Sequence, residues 1–315
     1  PGIGARKTSQ LKPLDRAVRL SKPDLPRGLH RMRTLQTSRD EVYLLHPDTV
    51  SAKTVTVTWD GKEWTIEREI LKPFLHDVQL SAFTQPTANA FGIFPYRIIG
   101  DRAELIEPGE LKKLYPGCWS YLNTRKPELE KRNITGGRTG DQQWYQYGRS
   151  QSLTKFDSQK IILPALSLEP RYAIDQHNIM VTGGGNGPYY LLRPEPGRGY
   201  SINVLLAVLN HPLSEAVVRT NTSLFRGGYY SHGKQFIKGL ALPKLTQNKH
   251  DALDELVREL LGRIAALGSA RAPHERTVLE REITDCRKNV EATVGEAFGL
   301  SDADMAIVHA VPIPF

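Results

Sequence analysis

Alternating apolar and polar positions dominate the chain between residues 41 and 67. The runs VYLLH and KTVTVTWDGKEWTI place apolar side chains at every second position, which is typical of half-buried strands. Asp60 and Gly61 lie between two such runs, and Asp-Gly is a strong signal for a two-residue turn. The pattern predicts a β-hairpin here. It also predicts a short helix or turn at residues 66–75, ending at Pro73, and a buried strand at residues 91–100.

From Pro108 onwards, the apolar positions take up helical spacing. Pro108 starts one predicted helix, Pro116 ends it, and residues 119–132 predict a second, amphipathic helix. Strand-like runs follow, namely WYQYG, KIILPALS, RYAI, HNIMVTG and PYYLLR. Helical spacing returns in residues 205–219, where Pro212 interrupts it. Predicted helices and strands therefore alternate along the chain, and no segment repeats at a fixed period.

The clearest periodicity lies in residues 246–315. Apolar residues recur at spacings of three and four before Gly268, and a second apolar stripe begins after Pro273. Gly after one helix and Pro at the start of the next are the expected signals of helix ends. The pattern predicts two antiparallel helices packed as a hairpin through Leu253, Leu256, Leu260, Ile264, Leu267, Leu279, Ile283, Cys286, Val290 and Ala297.

The charge distribution indicates a polyanionic partner. The net charge is +8 and the sequence pI is about 9.4. Residues 1–40 hold ten Lys or Arg against three Asp, residues 112–160 hold ten against four acidic residues, and residues 248–308 hold eight against twelve. A basic body with a mildly acidic tail favours nucleic acid as the partner of the body. A solvated surface with a basic bias is the alternative.

Composition narrows the class of protein further. Hydrophobic residues make up 39% and charged residues 24%, which is typical of a globular chain. We find neither an apolar run long enough for a membrane span nor a signal peptide. The two cysteines, Cys118 and Cys286, form no disulfide framework or zinc pattern, so we expect a reducing cytoplasm. The first residue is Pro rather than Met, so we expect a piece of a longer polypeptide.

A search for a catalytic or metal site in the sequence yields no candidate. The run GGGNGPY (183–189) is not followed by Lys-Ser or Lys-Thr, and the β-prone YYLL after it favours a turn over a cofactor loop. Adenine-N6 methyltransferases need an Asn/Asp-Pro-Pro-aromatic motif, and the chain has no Pro-Pro pair. The nine His are scattered without metal-ligand spacing. We therefore predict no catalytic residue, metal ligand or bound cofactor in this chain.

Two segments combine aromatic, amide and basic side chains in a way that favours nucleic-acid binding. Gln and Arg read adenine and guanine edges, Lys and Arg hold phosphates, and Gly allows the backbone to approach a ligand closely. The alternative is a core aromatic cluster beside a loop. The candidate DNA-binding residues are Gln143, Trp144, Tyr145, Arg149, Lys155 and Lys160 in the first segment and Arg226, Tyr229, Tyr230, Ser231, Lys234 and Lys238 in the second.

The order of these segments resembles that of a known family. YPGCWSYLNTRKPELEKR is followed by the Trp144-Tyr145 pair with Arg149, by KIILPALS, by LLAVLNHPLSE and by GGYYSHGKQFIKGLALP. Over residues 55–245 this order is similar to the TaqI-like C-terminal specificity domain of adenine-specific DNA methyltransferases and type II restriction–modification enzymes. The tail, with AFGLSDADMAIV, resembles the helical spacer of type I restriction specificity subunits.

The resemblance implies an α+β fold, with a mixed β-structure, flanking helices and a C-terminal antiparallel helical hairpin. It implies a DNA target-recognition domain at 41–245 and a spacer or docking region at 246–315, whereas the basic composition and the prolines of residues 1–40, which match no part of the family, indicate a linker or arm. It further implies double-stranded DNA and a methyltransferase catalytic domain as partners, and S-adenosylmethionine as cofactor of the parent enzyme. The catalytic half would lie outside this chain.

Two other classes of function remain open from the sequence. The chain could be a protein–protein adaptor of a phage-defence complex, because a helical hairpin with an apolar stripe can bind a partner. It could also be a stand-alone enzyme with an unrecognised site. Sequence-selective DNA binding by the chain would favour target recognition over both.

Overall fold

The structure is a computed structural model that describes residues 29–310 except 33, 133, 135–143, 150–152, 155, 157, 184–186, 196, 198, 223–224, 234–236, 238–239 and 241. Several small sheets and a set of helices make up these residues. The α+β fold that the resemblance predicts is therefore confirmed. The predicted arm at residues 1–40 lies mostly outside the described residues.

The predicted hairpin is present in a three-stranded sheet. Strand β4 (Thr54–Trp59) pairs antiparallel with β5 (Lys62–Glu67), and β3 (Thr49–Val50) pairs with the other edge of β4. Asp60 and Gly61 have φ angles of 52° and 71°. Both residues thus adopt the left-handed conformation that the favoured hairpin turn requires. The prediction from Asp-Gly is confirmed.

The segment after the hairpin differs from the prediction. Residues 68–70 form a short 3-10 turn, but β6 (Leu71–Leu75) then continues as a strand through Pro73. β6 lies between β7 (Ala90–Ile93), which is antiparallel to it, and β13 (Met180–Val181), which is parallel. Pairing with segments far away in sequence therefore outweighs the local signal of Pro73. The short β2 (Leu44–Leu45) completes this sheet.

Residues 91–100 form two strands rather than one buried strand. β7 ends at Ile93, and β8 (Tyr96–Ile99) begins after Pro95 and pairs with β9 (Arg102–Leu105). Ile98 and Ile99 are 39% and 56% exposed. The apolar run therefore continues out of the core, and only its first half is buried.

Short helices follow, and prolines set their boundaries. Helix α1 (Asp40–Tyr43) precedes β2. Helix α2 (Pro108–Leu114) begins at Pro108 and ends before Pro116, as predicted, whereas α3 (Pro116–Thr124) begins at Pro116, three residues before the predicted start at residue 119. The predicted helix at 119–132 is divided, because α3 ends at Thr124 and α4 (Lys126–Glu130) starts afresh with Pro127 in its first turn. A proline disfavours helical backbone in the residue before it and lacks the N–H that would continue the helix.

A four-stranded antiparallel sheet separates two hydrophobic cores. Ile162 and Leu191 belong to the first core, whereas Ile161, Leu163 and Leu192 belong to the second. Because both faces are covered, KIILP reads as a continuous apolar run rather than an alternating one. The sheet has the order β1 (Leu29–Met32), β14 (Tyr189–Pro194), β10 (Lys160–Pro164) and β12 (Ala173–Asp175).

Helices cover the second core. The helical run at 205–219 forms α5 (Ile202–Asn210) and α6 (Pro212–Asn221), divided at Pro212 as predicted. The predicted helical hairpin is formed by α7 (Gln247–Ser269) and α8 (Pro273–Ala297), and α9 (Asp302–His309) follows it. The hairpin shares the second core with α5 and β10. Among the described residues, no helix combines the length and apolar character that crossing a membrane requires.

Candidate nucleic-acid interface

A surface groove, here called the central groove, connects the two candidate segments. It consists of adjoining clefts of about 650 Å³ and about 340 Å³, which share Asp77 and Pro188. The first cleft contains Arg149 and the second contains Tyr229. Two residues that are 80 positions apart therefore face one groove. Its lining consists of residues 36–41, 76–80, 149, 164, 166–167, 171, 182–183, 187–189 and 229.

Arg149 is exposed in the first cleft because the backbone beside it pairs with residues 36–38. The Arg149 N–H donates to the Gln36 carbonyl at 3.1 Å, and the Gly148 N–H donates to the Thr37 carbonyl at 3.0 Å. A Cβ atom added at Gly148 would lie 1.9 Å from Ser38 Oγ. This approach leaves no room for a side chain, so glycine is required here.

The buried Arg132 guanidinium holds the same two segments together. It donates to the carbonyls of Thr37 at 2.5 Å, Trp144 at 2.8 Å and Gln146 at 2.8 Å, and to Tyr43 Oη at 3.2 Å. A planar group with five donors can satisfy several buried carbonyls at once. Arg132 is a functional support that the sequence analysis missed, because basic side chains usually indicate a surface.

Charges of both signs line the central groove. Arg39 pairs with Glu41 at 2.8 Å, and Thr37 donates a hydrogen bond to Asp40. In the second cleft, Arg171 pairs with Glu169 at 2.7 Å. The groove therefore presents both donors and acceptors, as base edges in the DNA major groove do.

Two residues of the groove have backbone conformations that are rare outside glycine. Ser38 has a φ of 60° and Asp77 a φ of 51°. Such conformations are uncommon for residues with a side chain, and they cluster at functional sites. Asp77 was also missed from the sequence, because residues 76–89 have no periodic pattern that would single it out.

The second candidate segment is a tight turn on the rim of the groove. The Phe225 N–H donates to the Tyr229 carbonyl at 2.7 Å, and Gly227 and Gly228 have φ angles of 84° and 81°. Arg226 and Tyr229 are both exposed. The glycines thus permit a turn that projects one basic and one aromatic side chain towards solvent.

The structure places the aromatic residues Trp144 and Tyr145 in the first core, so neither can stack on a base in this conformation. Trp144 is 3% exposed and Tyr145 is fully buried. Their rings pack against each other with centroids 5.3 Å apart, and both contact Trp119. The Tyr145 hydroxyl donates to the Ile106 carbonyl. A role for these two side chains in DNA contact is corrected to a structural one.

Lys160 is also corrected to a structural role. Its ammonium group is fully buried and forms an ion pair with Asp175, whose side chain is fully buried as well. The Asp175 carboxylate also accepts hydrogen bonds from the N–H groups of His177 and Ile179, each at 2.9 Å. A buried charge of this kind needs a partner because desolvation is costly. Lys160 therefore cannot reach a phosphate.

Tyr230 follows the exposed turn but points inwards. It is fully buried, and the Arg219 guanidinium lies 5.2 Å from its ring centroid. β15 (Tyr230–Ser231) pairs with β11 (Leu166–Ser167), which turns the Tyr230 side chain towards the second core. The alternation of strand side chains places Ser231 on the other face, where it is half-buried. Tyr230 is therefore not a base-stacking residue in this structure.

A buried polar cluster lies beneath the exposed turn. Glu215 pairs with Arg219 at 2.9 Å, and Tyr172 is hydrogen-bonded to His232. Burial raises the pKa of the Glu215 carboxyl, and the neighbouring Arg219 guanidinium offsets part of this rise, so that the pKa is about 7. Burial lowers the pKa of His232 to about 4. Among the described residues, Glu215 Oε2, His232 Nε2 and the Tyr230 hydroxyl have no hydrogen-bond partner. The exposed turn therefore packs on buried groups whose protonation changes with pH.

Four candidates lie outside the described residues, namely Gln143, Lys155, Lys234 and Lys238. Within the part of the chain that the structure describes, no group of three or more His, Cys, Asp or Glu could hold a metal ion. Of the candidates that are described, Arg149, Arg226 and Tyr229 are exposed and Ser231 is half-buried.

The chain is similar to parts of two known restriction–modification enzymes. No protein-family model matches the chain. The chain is homologous to the type II restriction enzyme and methyltransferase RM.Eco57I of Escherichia coli, with 27% identity over 288 residues. That match covers 87% of this chain but 29% of the relative, so the chain spans less than a third of the relative's length.

A solved structure shares the fold. The type IIL restriction–modification enzyme MmeI, determined in complex with DNA, superimposes with a TM-score of 0.54 at 10% sequence identity. The match covers 92% of this chain and 35% of the MmeI chain. In both comparisons, the chain thus corresponds to one part of a longer protein.

Proposed function

We propose that this chain is the target-recognition region of an adenine-N6 DNA methyltransferase or of a restriction–modification or phage-defence enzyme. It would bind double-stranded DNA in a sequence-specific manner, as TaqI-like specificity domains do. The observation that carries this proposal is the central groove, where Arg149 and Tyr229 come together from the two segments that the sequence singles out.

The chemistry of the groove suits base edges better than a small metabolite. The first cleft is open and lined mostly by polar residues, including Gln36, Ser38 and Arg149. Pockets for small ligands are usually enclosed and mainly apolar. Arg and Gln form paired hydrogen bonds with guanine and adenine, whereas carboxylates accept from amino groups of bases. The exposed Tyr229 and Arg226 on the rim can contact the sugar–phosphate backbone.

The related proteins support the same proposal. The homologous enzyme is named as both a restriction enzyme and a methyltransferase, and it is more than three times as long as the matched part. The structural neighbour was solved with DNA. We propose that catalysis resides in a part of the parent protein outside this chain and that the parent uses S-adenosylmethionine. No cofactor is proposed for this chain itself.

The proposed division of labour follows the domains expected from the sequence. Residues 41–245 would read the DNA while a catalytic domain, in the same chain or in a partner subunit, flips the target adenine out of the duplex. Residues 246–315 would act as a spacer or docking region. The long hairpin of α7 and α8 suits this role, because it is held to α5 by the second core and its outer face is charged.

The decisive experiment is a selection of bound sequences from a random duplex library at moderate salt. We expect enrichment of one short motif that contains adenine. Arg149→Ala should weaken binding or relax one position, because an Arg contact to a base or phosphate is lost. Arg102→Ala is the matched control, since Arg102 is exposed on β9 and does not line the groove.

Two results would count against target recognition. Binding without enrichment at any position would indicate that the basic surface is only electrostatic and would favour the adaptor function. Equal effects of Arg149→Ala and Arg102→Ala would show that the central groove is not the binding surface, even if the chain selects a motif.

A further inference from the structure

Asp77 occupies the point where the two clefts of the central groove meet. It is exposed, and it lines both clefts. Its carboxylate makes no hydrogen bond or ion pair with the described residues, whereas the neighbouring Asp40 accepts from Thr37 and Glu41 pairs with Arg39. Among the carboxylates that line the first cleft, Asp77 is therefore one with both oxygens available to a ligand.

The backbone on both sides of Asp77 is held rigidly. The His76 N–H donates to Asn89 Oδ1 at 2.8 Å, and Asn89 Nδ2 donates back to the His76 carbonyl at 2.8 Å. The Val78 N–H donates to the Tyr189 hydroxyl at 2.6 Å, which in turn donates to the Val78 carbonyl at 2.7 Å. These four hydrogen bonds hold the backbone on either side of Asp77 in place and so fix the point from which its side chain projects.

The backbone conformation of Asp77 adds a second sign of function. Its φ of 51° lies in the left-handed region, which Asp tolerates better than most residues but at some energetic cost. The paired hydrogen bonds at His76 and Val78 compensate for this strain. A restrained backbone at a contact residue favours a specific contact, because no backbone entropy of that residue is then lost on binding.

An unpaired carboxylate is unfavourable on a surface that approaches DNA phosphates. It becomes favourable where it accepts a hydrogen bond from a base, and the donors available to it are the exocyclic amino groups, cytosine N4 and adenine N6. We propose that Asp77 is a specificity-determining residue that accepts a hydrogen bond from such an amino group in the major groove. This inference rests on the proposed function and names the chemistry that the groove recognises.

The proposal predicts a signature that a phosphate contact does not share. Removal of the carboxylate abolishes the preference for an amino-bearing base at one position. The same change removes repulsion from phosphates, so binding to random DNA stays equal or becomes stronger. An Arg or Lys contact to phosphate would instead weaken binding to all sequences uniformly.

The test compares Asp77→Asn with Asp60→Asn in the 315-residue chain. Both substitutions remove one negative charge at an exposed residue with nearly the same left-handed φ, but Asp60 is in the β4–β5 turn and does not line the groove. Asn also tolerates this conformation. Asp77→Gly provides a second variant without a side chain, which keeps the test valid if Asn makes a new base contact.

The readouts are a selection from a random duplex library and titrations with duplexes that differ at one position. We expect both Asp77 variants to lose about tenfold or more of the discrimination at one position that wild type and Asp60→Asn retain. An unchanged motif with unchanged discrimination would overturn the role of Asp77 while leaving the proposed function intact. No motif for wild type would overturn the proposed function itself, and the role of Asp77 with it.

Discussion

The segment around Arg149 and the turn around Tyr229 have similar compositions, but the fold uses them in different ways. Among the described residues of the first segment, the aromatic pair Trp144 and Tyr145 is buried, whereas Arg149 extends into the groove. In the second, Tyr229 is exposed and its neighbour Tyr230 is buried. The difference arises because the first segment joins the core through side chains on consecutive residues, whereas a strand alternates its side chains between two faces.

This comparison shows that an aromatic residue beside a basic one is weak evidence for nucleic-acid stacking. In both segments, aromatic side chains contribute to the core, and the residue that faces the groove is Arg149 in the first segment and Tyr229 in the second. Substitutions in the two segments should therefore separate into effects on stability and effects on binding.

The largest effect is expected from Lys160→Met in the first segment. This change leaves the Asp175 carboxylate buried without its cationic partner, which we expect to cost about 3–5 kcal/mol of unfolding free energy. Urea denaturation measures it. The double variant Lys160→Met/Asp175→Asn should cost less, because no isolated charge remains. If Lys160→Met and the wild type had similar free energies of unfolding, the ion pair would not stabilise the paired ends of β10 and β12.

In the polar cluster beneath the second segment, Glu215 should make the free energy of unfolding depend on pH. Its pKa is raised to about 7 in the folded chain, so the folded state binds a proton that the unfolded state has already released between pH 4.5 and 7. The stability that this group contributes is therefore fully present below pH 4.5 and is lost as the pH rises through 7, by an amount on the order of 3 kcal/mol.

His232 acts in the opposite direction, because its pKa is lowered to about 4 and it contributes stability that increases from pH 4 to 6.5. Comparison of wild type with Glu215→Gln at each pH isolates the carboxyl group. We expect the stability of Glu215→Gln relative to wild type to rise between pH 5 and 8, measured by urea denaturation. A constant difference across this range would contradict a raised pKa at Glu215.

Gly148→Ala should have an intermediate effect on the first segment. The added Cβ would collide with Ser38 Oγ at 1.9 Å, so the bridge that supports Arg149 must shift, at a cost of about 1–3 kcal/mol. Gly109→Ala is the control, because nothing lies within 4 Å of its added Cβ. Thermal unfolding and DNA binding should both respond to the Gly148 change. Equal melting temperatures for Gly148→Ala and Gly109→Ala would contradict the close approach of Gly148 to Ser38.

The smallest effect on stability is expected from Tyr229→Ala. Its side chain is 38% exposed on a turn, so its loss should change the unfolding free energy by roughly 0.5 kcal/mol or less. We expect DNA binding to weaken several-fold, because stacking and backbone contacts on the rim are lost. Val50→Ala, at an exposed site in β3, is a control for loss of apolar surface. If Tyr229→Ala bound DNA with the affinity of the wild type, the turn would not be part of the DNA interface.

Local signals in the sequence determined the elements whose geometry depends on neighbouring residues. Asp60-Gly61 specified the hairpin turn, Pro108 marked a helix start, Pro116 and Pro212 marked breaks in helical runs, and apolar spacings of three and four specified the pair α7 and α8. These features need only short-range sterics and hydrogen bonds, so a linear pattern contains them.

The tertiary structure alone decided which side chains face the groove. The strand through Pro73 depends on pairing with β7 and β13, and the burial of Lys160 depends on Asp175 across the sheet. Asp77 lies at the junction of the two clefts because Asn89 and Tyr189 form hydrogen bonds with the backbone of the residues on either side of it. Contacts between residues far apart in sequence set the exposure of each side chain, and a one-dimensional pattern does not contain those contacts.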